Sequence, residues 1–299
     1  MGGSISQQTE APREVTKDLF TAKNVGIVSL IIVAMLILIV LILYIVDQVK
    51  KTKLQHVSLQ KNVPTDLIEL NNRQTVPFRV PANNMSLVSN GQEFSYSFWI
   101  FLGSAYSATA GPKMILTRGN GNTYSGSTLT VTSNTSPLIF LDASTNAMYF
   151  AVNTSAVKTA MTPSQVVSQA ANGTFNSGWM VAKVAYVPLQ RWVFMTMTLQ
   201  QTSLNVYLDG DLYSVATLGD IAANIPGPTP IVNGTGGDLL IGDNVNYTPG
   251  YIAKAAFYNY ALVQSDIQTM YAAGPNKTSW LGYVGMGNYG VRSPIYQIS

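Results

Sequence analysis

Residues 93–102 read EFSYSFWIFL. Phe94, Tyr96, Phe98, Ile100 and Leu102 alternate there with Ser95, Ser97, Trp99 and Phe101. Successive side chains of a strand point to opposite faces, so this period of two predicts a half-buried β-strand. The same pattern recurs on both sides of a series of turns. Met114 to Thr117 is a short apolar run that ends at Gly119-Asn120-Gly121-Asn122. Residues 127–132 offer a further strand, and 138–141 and 147–152 form a pair joined by the turn at 142–146. From Trp192 to Leu199 the alternation returns, with Val193, Met195, Met197 and Leu199 on one side. Leu204, Val206 and Leu208 then share a face, and Asp209-Gly210 has the composition of a two-residue type I′ hairpin turn into 212–216. Residues 239–241 and 251–258 complete the strong strands.

One short helix is legible near the end. Ser265 is placed as its N-cap, with Gln268 completing a capping box. Ile267, Met270 and Tyr271 form its packing stripe, and Gly274 suits its C-terminal end. Many short strands with frequent turns and little helix predict an antiparallel β-sandwich. Residues 153–190, rich in Thr, Ser, Ala and Asn, read as a long connection containing Trp179. Connections of that length are usually functional or disordered.

Upstream lies VGIVSLIIVAMLILIVLILYIV, residues 25–46, uncharged throughout. About 22 residues at ~1.5 Å each give roughly 33 Å of helix, enough for a hydrocarbon core of ~30 Å. Lys50, Lys51 and Lys53 follow it and Tyr44 sits at its end, as membrane interfaces favour. The apolar run is too long for a signal-peptide core. The expected organisation is a tail at 1–24, a single transmembrane helix at 25–46, a stalk at 47–75, a sandwich at 76–275 and a C-terminal tail at 276–299. Pro64 limits how far the membrane helix can continue. The opening MGGSIS fits the N-myristoylation pattern, which marks Gly2 for acylation.

Composition excludes several chemistries. Charged residues make up 10% of the chain and the net charge is +3, with no basic patch interleaved with aromatics, so nucleic acid is not an expected partner. Cysteine is absent, which removes disulfides, thiolate catalysis and zinc thiolate sites. The only histidine is His56, so the large domain cannot assemble a Ser-His-Asp triad.

The residues from Phe94 to Pro275 resemble the laminin G-like, concanavalin A-type jelly roll. EFSYSFWIF is similar to that family's "fTisfWvk" strand, and KMILTRGN to its "iLskgd" strand and turn. Trp192, Tyr207, Asp209 and Gly210 match its "W-h-h-v-a-v-t … l-y-v-D-G" hairpin, and GDLLIGDN its "l-x-i-G". GYIAKAAFYNYALVQSDIQTMY resembles "G-x-i-d-d-v-r-i-y-n-r-A-L-s-x-x-E-I-x-x-l", matching at Gly250, Tyr258, Asn259, Ala261, Leu262 and Ile267. The resemblance implies an antiparallel jelly-roll β-sandwich, here preceded by one transmembrane helix. Ala253-Lys254 stands where relatives carry an acidic pair, which removes any calcium or polar contact made there.

Laminarinase-type enzymes with this fold carry E-x-D-x-x-E on one strand. That motif is missing, and Glu93 is the only glutamate after Glu69, so no enzyme activity is expected. Calcium is the one metal with candidate ligands: Asp209, Asp211, Asp238 and Asp243, with Asn244 and backbone carbonyls. Turn chemistry accounts for the same aspartates without a metal. For carbohydrate, Trp179 is the candidate contact, with Trp280; Trp99 and Trp192 lie on strands and read as core. Glycosylation sequons begin at Asn84, Asn153, Asn172, Asn233 and Asn276.

Two functional classes follow. One is a membrane-anchored structural or interaction protein that docks on another protein layer. The other is a membrane-tethered carbohydrate-binding module. An acylation signal, one span, no cysteine and a polar uncharged sandwich are similar to membrane-anchored proteins of large cytoplasmic DNA viruses. That likeness implies a virion membrane or minor capsid component, with capsid proteins and the lipid bilayer as partners, in the internal membrane of a virion. The topology signals conflict: Arg13, Lys17 and Lys23 precede the span, whereas Lys50, Lys51, Lys53 and Lys61 follow it.

Overall fold

The computed structural model describes residues 22–53, 56–58, 67–70, 77–85, 93–103, 111–119, 122–125, 128–157, 159–171, 178–223 and 236–275. Two compact units divide the chain, Met1–Leu54 and Gln55–Ser299.

The first unit contains helix α1, Ala22–Lys53. Its stretch Ile27–Ile45 is long and apolar enough to cross a membrane. Every large side chain described there is exposed, from Ile39 at 47% to Leu30 at 71%. An apolar helix with no polar stripe has no face to turn toward water.

The second unit is a sandwich of two antiparallel sheets. Its strands are β1 (His56–Ser58), β2 (Leu67–Glu69), β3 (Phe78–Val80), β4 (Glu93–Leu102), β5 (Lys113–Gly119), β6 (Thr123–Ser125), β7 (Thr128–Thr130) and β8 (Thr135–Leu141). They continue as β9 (Met148–Asn153), β10 (Trp179–Val184), β11 (Trp192–Gln200), β12 (Ser203–Leu208), β13 (Asp211–Thr217), β14 (Leu239–Ile241) and β15 (Gly250–Tyr258). Three helices accompany them: α2 (Pro163–Ala171), α3 (Leu218–Ala222) and α4 (Gln264–Ala272). The seven-stranded sheet runs β1–β15–β4–β11–β12–β13, with β2 also on β15. The six-stranded sheet runs β10–β9–β8–β5–β14–β3, and β6 and β7 form a separate hairpin.

The core lies between the sheets. Phe94, Phe98, Ile100, Val193, Met195, Met197, Leu204 and Val206 meet Ile115, Ile139, Phe150, Met180 and Ile241 there. The period-two assignments therefore hold residue by residue. The half-buried character expected of β4 does not hold, since Ser95, Ser97 and Trp99 on its other face are buried too. The reason is a third layer. Helix α4 and the segment before it lay Leu262, Ile267, Met270 and Tyr271 over Trp99, Phe194, Tyr207 and Ala253.

The outer face of the six-stranded sheet is covered in the same way. Leu129, Val131, Val157 and Val166 pack on Met114, Leu138, Phe140, Tyr149, Ala151 and Trp179. Residues 153–190 are thus not a plain connection, because they supply α2, which packs on this sheet, and β10, its edge strand. Residues 56–58 and 67–69, read as stalk, pair with β15 and belong to the seven-stranded sheet.

Helix α4 begins earlier than its capping residues suggest. Its N-cap is Val263, without a side-chain hydrogen bond, and the Ser265–Gln268 box does not form. Leu262 and Ile267, both buried, fix the start of the helix through packing instead. Gly274 follows its end at φ 69°, as expected.

Candidate functional site

The aspartates proposed as calcium ligands lie in two separate places. Asp209 and Asp211 flank the β12–β13 turn in one sheet; Asp238 and Asp243 flank β14 in the other. Asp209 has φ 53° and Gly210 φ 93°, both positive as a type I′ turn requires. Asp209 Oδ1 accepts the Phe194 amide at 2.9 Å, and its Oδ2 pairs with Arg191 at 2.9 Å. Asp211 is exposed. Asp238 accepts the Ala82 amide at 2.8 Å and pairs with Arg79, and these two partners hold its carboxyl below the usual range. Asp243 is buried at 2% exposure and its Oδ1 accepts the Val245 amide at 2.7 Å. Asn244 beside it is exposed. Calcium takes six to eight oxygens, usually from several carboxylates. Among the described residues no three His, Cys, Asp or Glu side chains gather into a metal-binding group.

Trp179, the candidate sugar contact, is fully buried in the layer between α2 and the six-stranded sheet. It offers no ring face to a ligand at the surface. Trp179 opens β10, and the sequence does not show that α2 packs over it. Asn153 of the second sequon is also fully buried and donates its amide to the Ser133 carbonyl, so it is closed to glycosylation in the folded chain. Gly2, Trp280, Asn172, Asn233 and Asn276 lie outside the described residues.

The Ala253-Lys254 departure has a structural use. Ala253 is buried opposite Trp99, where a small side chain lets α4 approach. Lys254 has φ 48° at a bulge in β15 and donates from Nζ to the Gly274 carbonyl at 2.7 Å. A cation at the helix C-terminus satisfies carbonyls that lack intrahelical partners. Beside it a cavity of about 250 Å³ is lined by Ser97, Trp99, Phe194, Lys254, Tyr258 and Met270, among others. Burial pushes the Tyr258 phenol up, so that hydroxyl stays protonated, and it contacts Met270 Sδ at 3.0 Å.

Two surface features remain. Trp192, Phe101 and Tyr251 are register partners across β11, β4 and β15 and form a partly exposed aromatic row. Their ring centroids are 5.6 and 6.3 Å apart, with planes inclined at 54° and 49°. The second feature was missed in the sequence reading. Leu212, Tyr213 and Val215 on β13 are exposed at 51%, 46% and 49%. Their signal was visible as an apolar run in a strand whose neighbours were already assigned, but nothing in the sequence says which strand ends a sheet.

The family model of the concanavalin A-like lectin/glucanases superfamily matches residues 77–268. Similar solved structures include the botulinum neurotoxin serotype D binding domain, at 13% identity and a TM-score of 0.44, covering 73% of this chain and 46% of that one. The serotype G binding domain is 12% identical, with a TM-score of 0.40, and covers 61% of this chain and 36% of that one. The binding domain of botulinum neurotoxin DC in complex with SialylT is 13% identical, with a TM-score of 0.38 and coverage of 61% and 35%. This chain therefore spans less than half the length of those structures. No curated protein matches the sequence.

Proposed function

Because the chain belongs to the concanavalin A-like lectin/glucanases superfamily, we propose that it uses this sandwich as a membrane-anchored interaction module and not as an enzyme. The helix α1 serves as the anchor, and the sandwich docks on a neighbouring protein. One observation carries the reading. Helices and loops cover much of the outer face of each sheet, while β13, paired among the described strands with β12 alone, leaves Leu212, Tyr213 and Val215 exposed. Exposed apolar side chains on an unpaired strand edge mark a protein-pairing surface. Catalysis has little to work with, since the only glutamates of the sandwich are Glu69 and Glu93 and two of its aspartates, Asp209 and Asp238, are held in ion pairs. A virus particle with a membrane beneath its protein shell is the setting this layout suits, with the sandwich as a minor capsid or membrane component.

The test is cross-linking mass spectrometry on the full chain in its native membranes or particles. Protein cross-links mapping to residues 211–217 are expected. Cross-links spread evenly over the sandwich would overturn the reading.

A second reading, carbohydrate recognition, draws on the aromatic row of Trp192, Phe101 and Tyr251, since sugars stack on exposed rings. The inclined planes do not make one flat platform. A glycan array with the fragment beginning at residue 55, which keeps β1 and β2, separates the readings. Specific binding lost in Trp192→Ala would favour the sugar module.

A further inference from the structure

The ladder between β15 and β4 breaks between Ala253 and Ala256, which lie opposite Trp99 and Ser97. Three steps along β15 therefore span two along β4, a β-bulge with one extra residue. Ala253 faces α4, so a regular alternation would turn its neighbour Lys254 into the core between the sheets. The bulge turns Ala255 there instead and holds Lys254 at φ 48°, with its ammonium at the end of α4. A left-handed backbone is unfavourable for lysine, and such outliers gather at ligand sites.

The bulge lines the cavity of about 250 Å³ under α4. Ser97, Trp99, Phe194 and Ala256 are buried and make its floor, with the Trp99 and Phe194 ring centroids 5.1 Å apart. Lys254, Tyr258, Met270 and Ala273 are partly exposed and form its rim. An apolar cavity of about 150 Å³ holds a benzene, so this one has room for a six-membered ring with one small polar group. We propose that it binds a small carboxylate with an apolar or aromatic body. The body lies on Trp99, Phe194 and Met270, and the carboxylate meets Lys254 and Tyr258.

Charge selects the head group. Lys254 Nζ donates to the Gly274 carbonyl at 2.7 Å and to the Ala273 carbonyl at 3.4 Å. A helix C-terminus carries roughly half a negative charge against the full charge of an ammonium, so this side of the rim stays positive. Asp266, the only charged residue of α4, lies in its first turn, about 10 Å along the helix from Ala273. The Tyr258 hydroxyl donates to the Met270 sulfur at 3.0 Å, a weak acceptor that an anionic oxygen displaces. The floor selects the body. Trp99, Phe194 and Ala256 have no side-chain group to satisfy the hydroxyls that ring a sugar, so a sugar is a poor occupant. No residue of β13 lines the cavity, which is therefore separate from the exposed edge.

The test uses the full chain in detergent, with 4-fluorobenzoate as the probe and fluorine NMR as the readout. Saturable binding, displaced by unlabelled benzoate, is expected with a dissociation constant of about 1 mM or below, as a ligand of about ten heavy atoms can reach. 4-Fluorobenzylamine has the same ring and the opposite charge, and should bind at least about tenfold more weakly. Lys254→Gln should weaken binding of the benzoate about tenfold, without weakening that of the amine. Ala273 has φ −70°, which suits leucine, so Ala273→Leu fills the mouth from the helix side and should abolish binding. Unaltered melting temperatures establish that the variants fold. If Lys254→Gln fails to fold because it also releases the end of α4, the two probes and Ala273→Leu decide. No saturable binding of the benzoate to the parent chain overturns the site. Equal affinity for the amine overturns the carboxylate, and undiminished binding in Ala273→Leu overturns the cavity as its location.

Discussion

Arg191 Nη1 lies 2.9 Å from Asp209 Oδ2, an ion pair that ties the start of β11 to the turn between β12 and β13. The other carboxylate oxygen of Asp209 holds the Phe194 amide at 2.9 Å, so one side chain braces three adjacent segments. Both partners are largely buried, at 13% and 18% side-chain exposure, which shields the pair from water. Asp209→Ala should destabilise the sandwich by about 1–3 kcal/mol, since Arg191 and the amide lose their acceptor. Asp209→Asn should cost less, because asparagine tolerates the left-handed backbone and still accepts a hydrogen bond. Urea unfolding of the 55–299 fragment measures both, and equal losses would show that the acceptor plays no part.

Gly250 packs where no side chain fits. A Cβ there would fall 2.2 Å from the Phe101 carbonyl oxygen, a backbone atom of the neighbouring strand. Its own carbonyl accepts the Leu70 amide at 2.8 Å, so β15 cannot shift away freely. Gly250→Ala should therefore cost about 1–3 kcal/mol through overpacking. Gly236→Ala, where nothing lies within 4 Å, is the control and should stay within about 0.5 kcal/mol of the parent. Matching melting temperatures for the two variants would contradict the close approach.

The resemblance to the jelly roll already matched Gly250, and the alternations at 94–102, 193–199 and 204–208 named the inward side chains correctly. Period two states which residues share a face. It does not say what lies beyond that face. Ser95 and Ser97 read as the solvent side of β4 and are buried because α4 and the segment before it return across the sheet, whereas Trp99, read as core, is buried as expected. Trp179 was misplaced for the same reason: α2 covers it from a segment that looked irregular. The calcium candidates were chosen by residue type, and chain order does not reveal that Asp209 and Asp238 sit in different sheets. That β13 ends the seven-stranded sheet among the described strands follows from strand order, which no local pattern encodes.

Leu36 and Leu38 are exposed at 57% and 58% on α1. Replacing both with arginine should cost about 5–7 kcal/mol of membrane insertion. The variant should leave the carbonate-resistant membrane fraction in a Gly2→Ala background. Undiminished resistance to extraction would mean that α1 is not the anchor.

The last prediction concerns Lys113, which is shut off from solvent and donates from Nζ to the Ala143 carbonyl at 3.2 Å. Burial pushes its ammonium down to about 8 from 10.5, against the opposing pull of Asp142. An amine that is more acidic in the folded state loses its proton there first. Between pH 8 and 10.5 the unfolded chain then holds more protons, so this group makes stability rise with pH. Below pH 8 both states are protonated and the cost of burying the charge is constant. Tyr96 sets the upper limit, since burial pushes its phenol up to about 12 from 10.0. Above pH 10 the unfolded tyrosine ionises while the folded one does not, and stability falls again. The gain belongs to the window between pH 8 and pH 10, and Lys113→Met should remove it by taking away the titrating group. Melting temperatures of the parent and the variant at pH 7, 8, 9 and 10 measure this, with the parent expected to gain a few degrees relative to Lys113→Met as the pH rises. Parallel profiles would show that Lys113 keeps an ordinary ammonium in the folded chain.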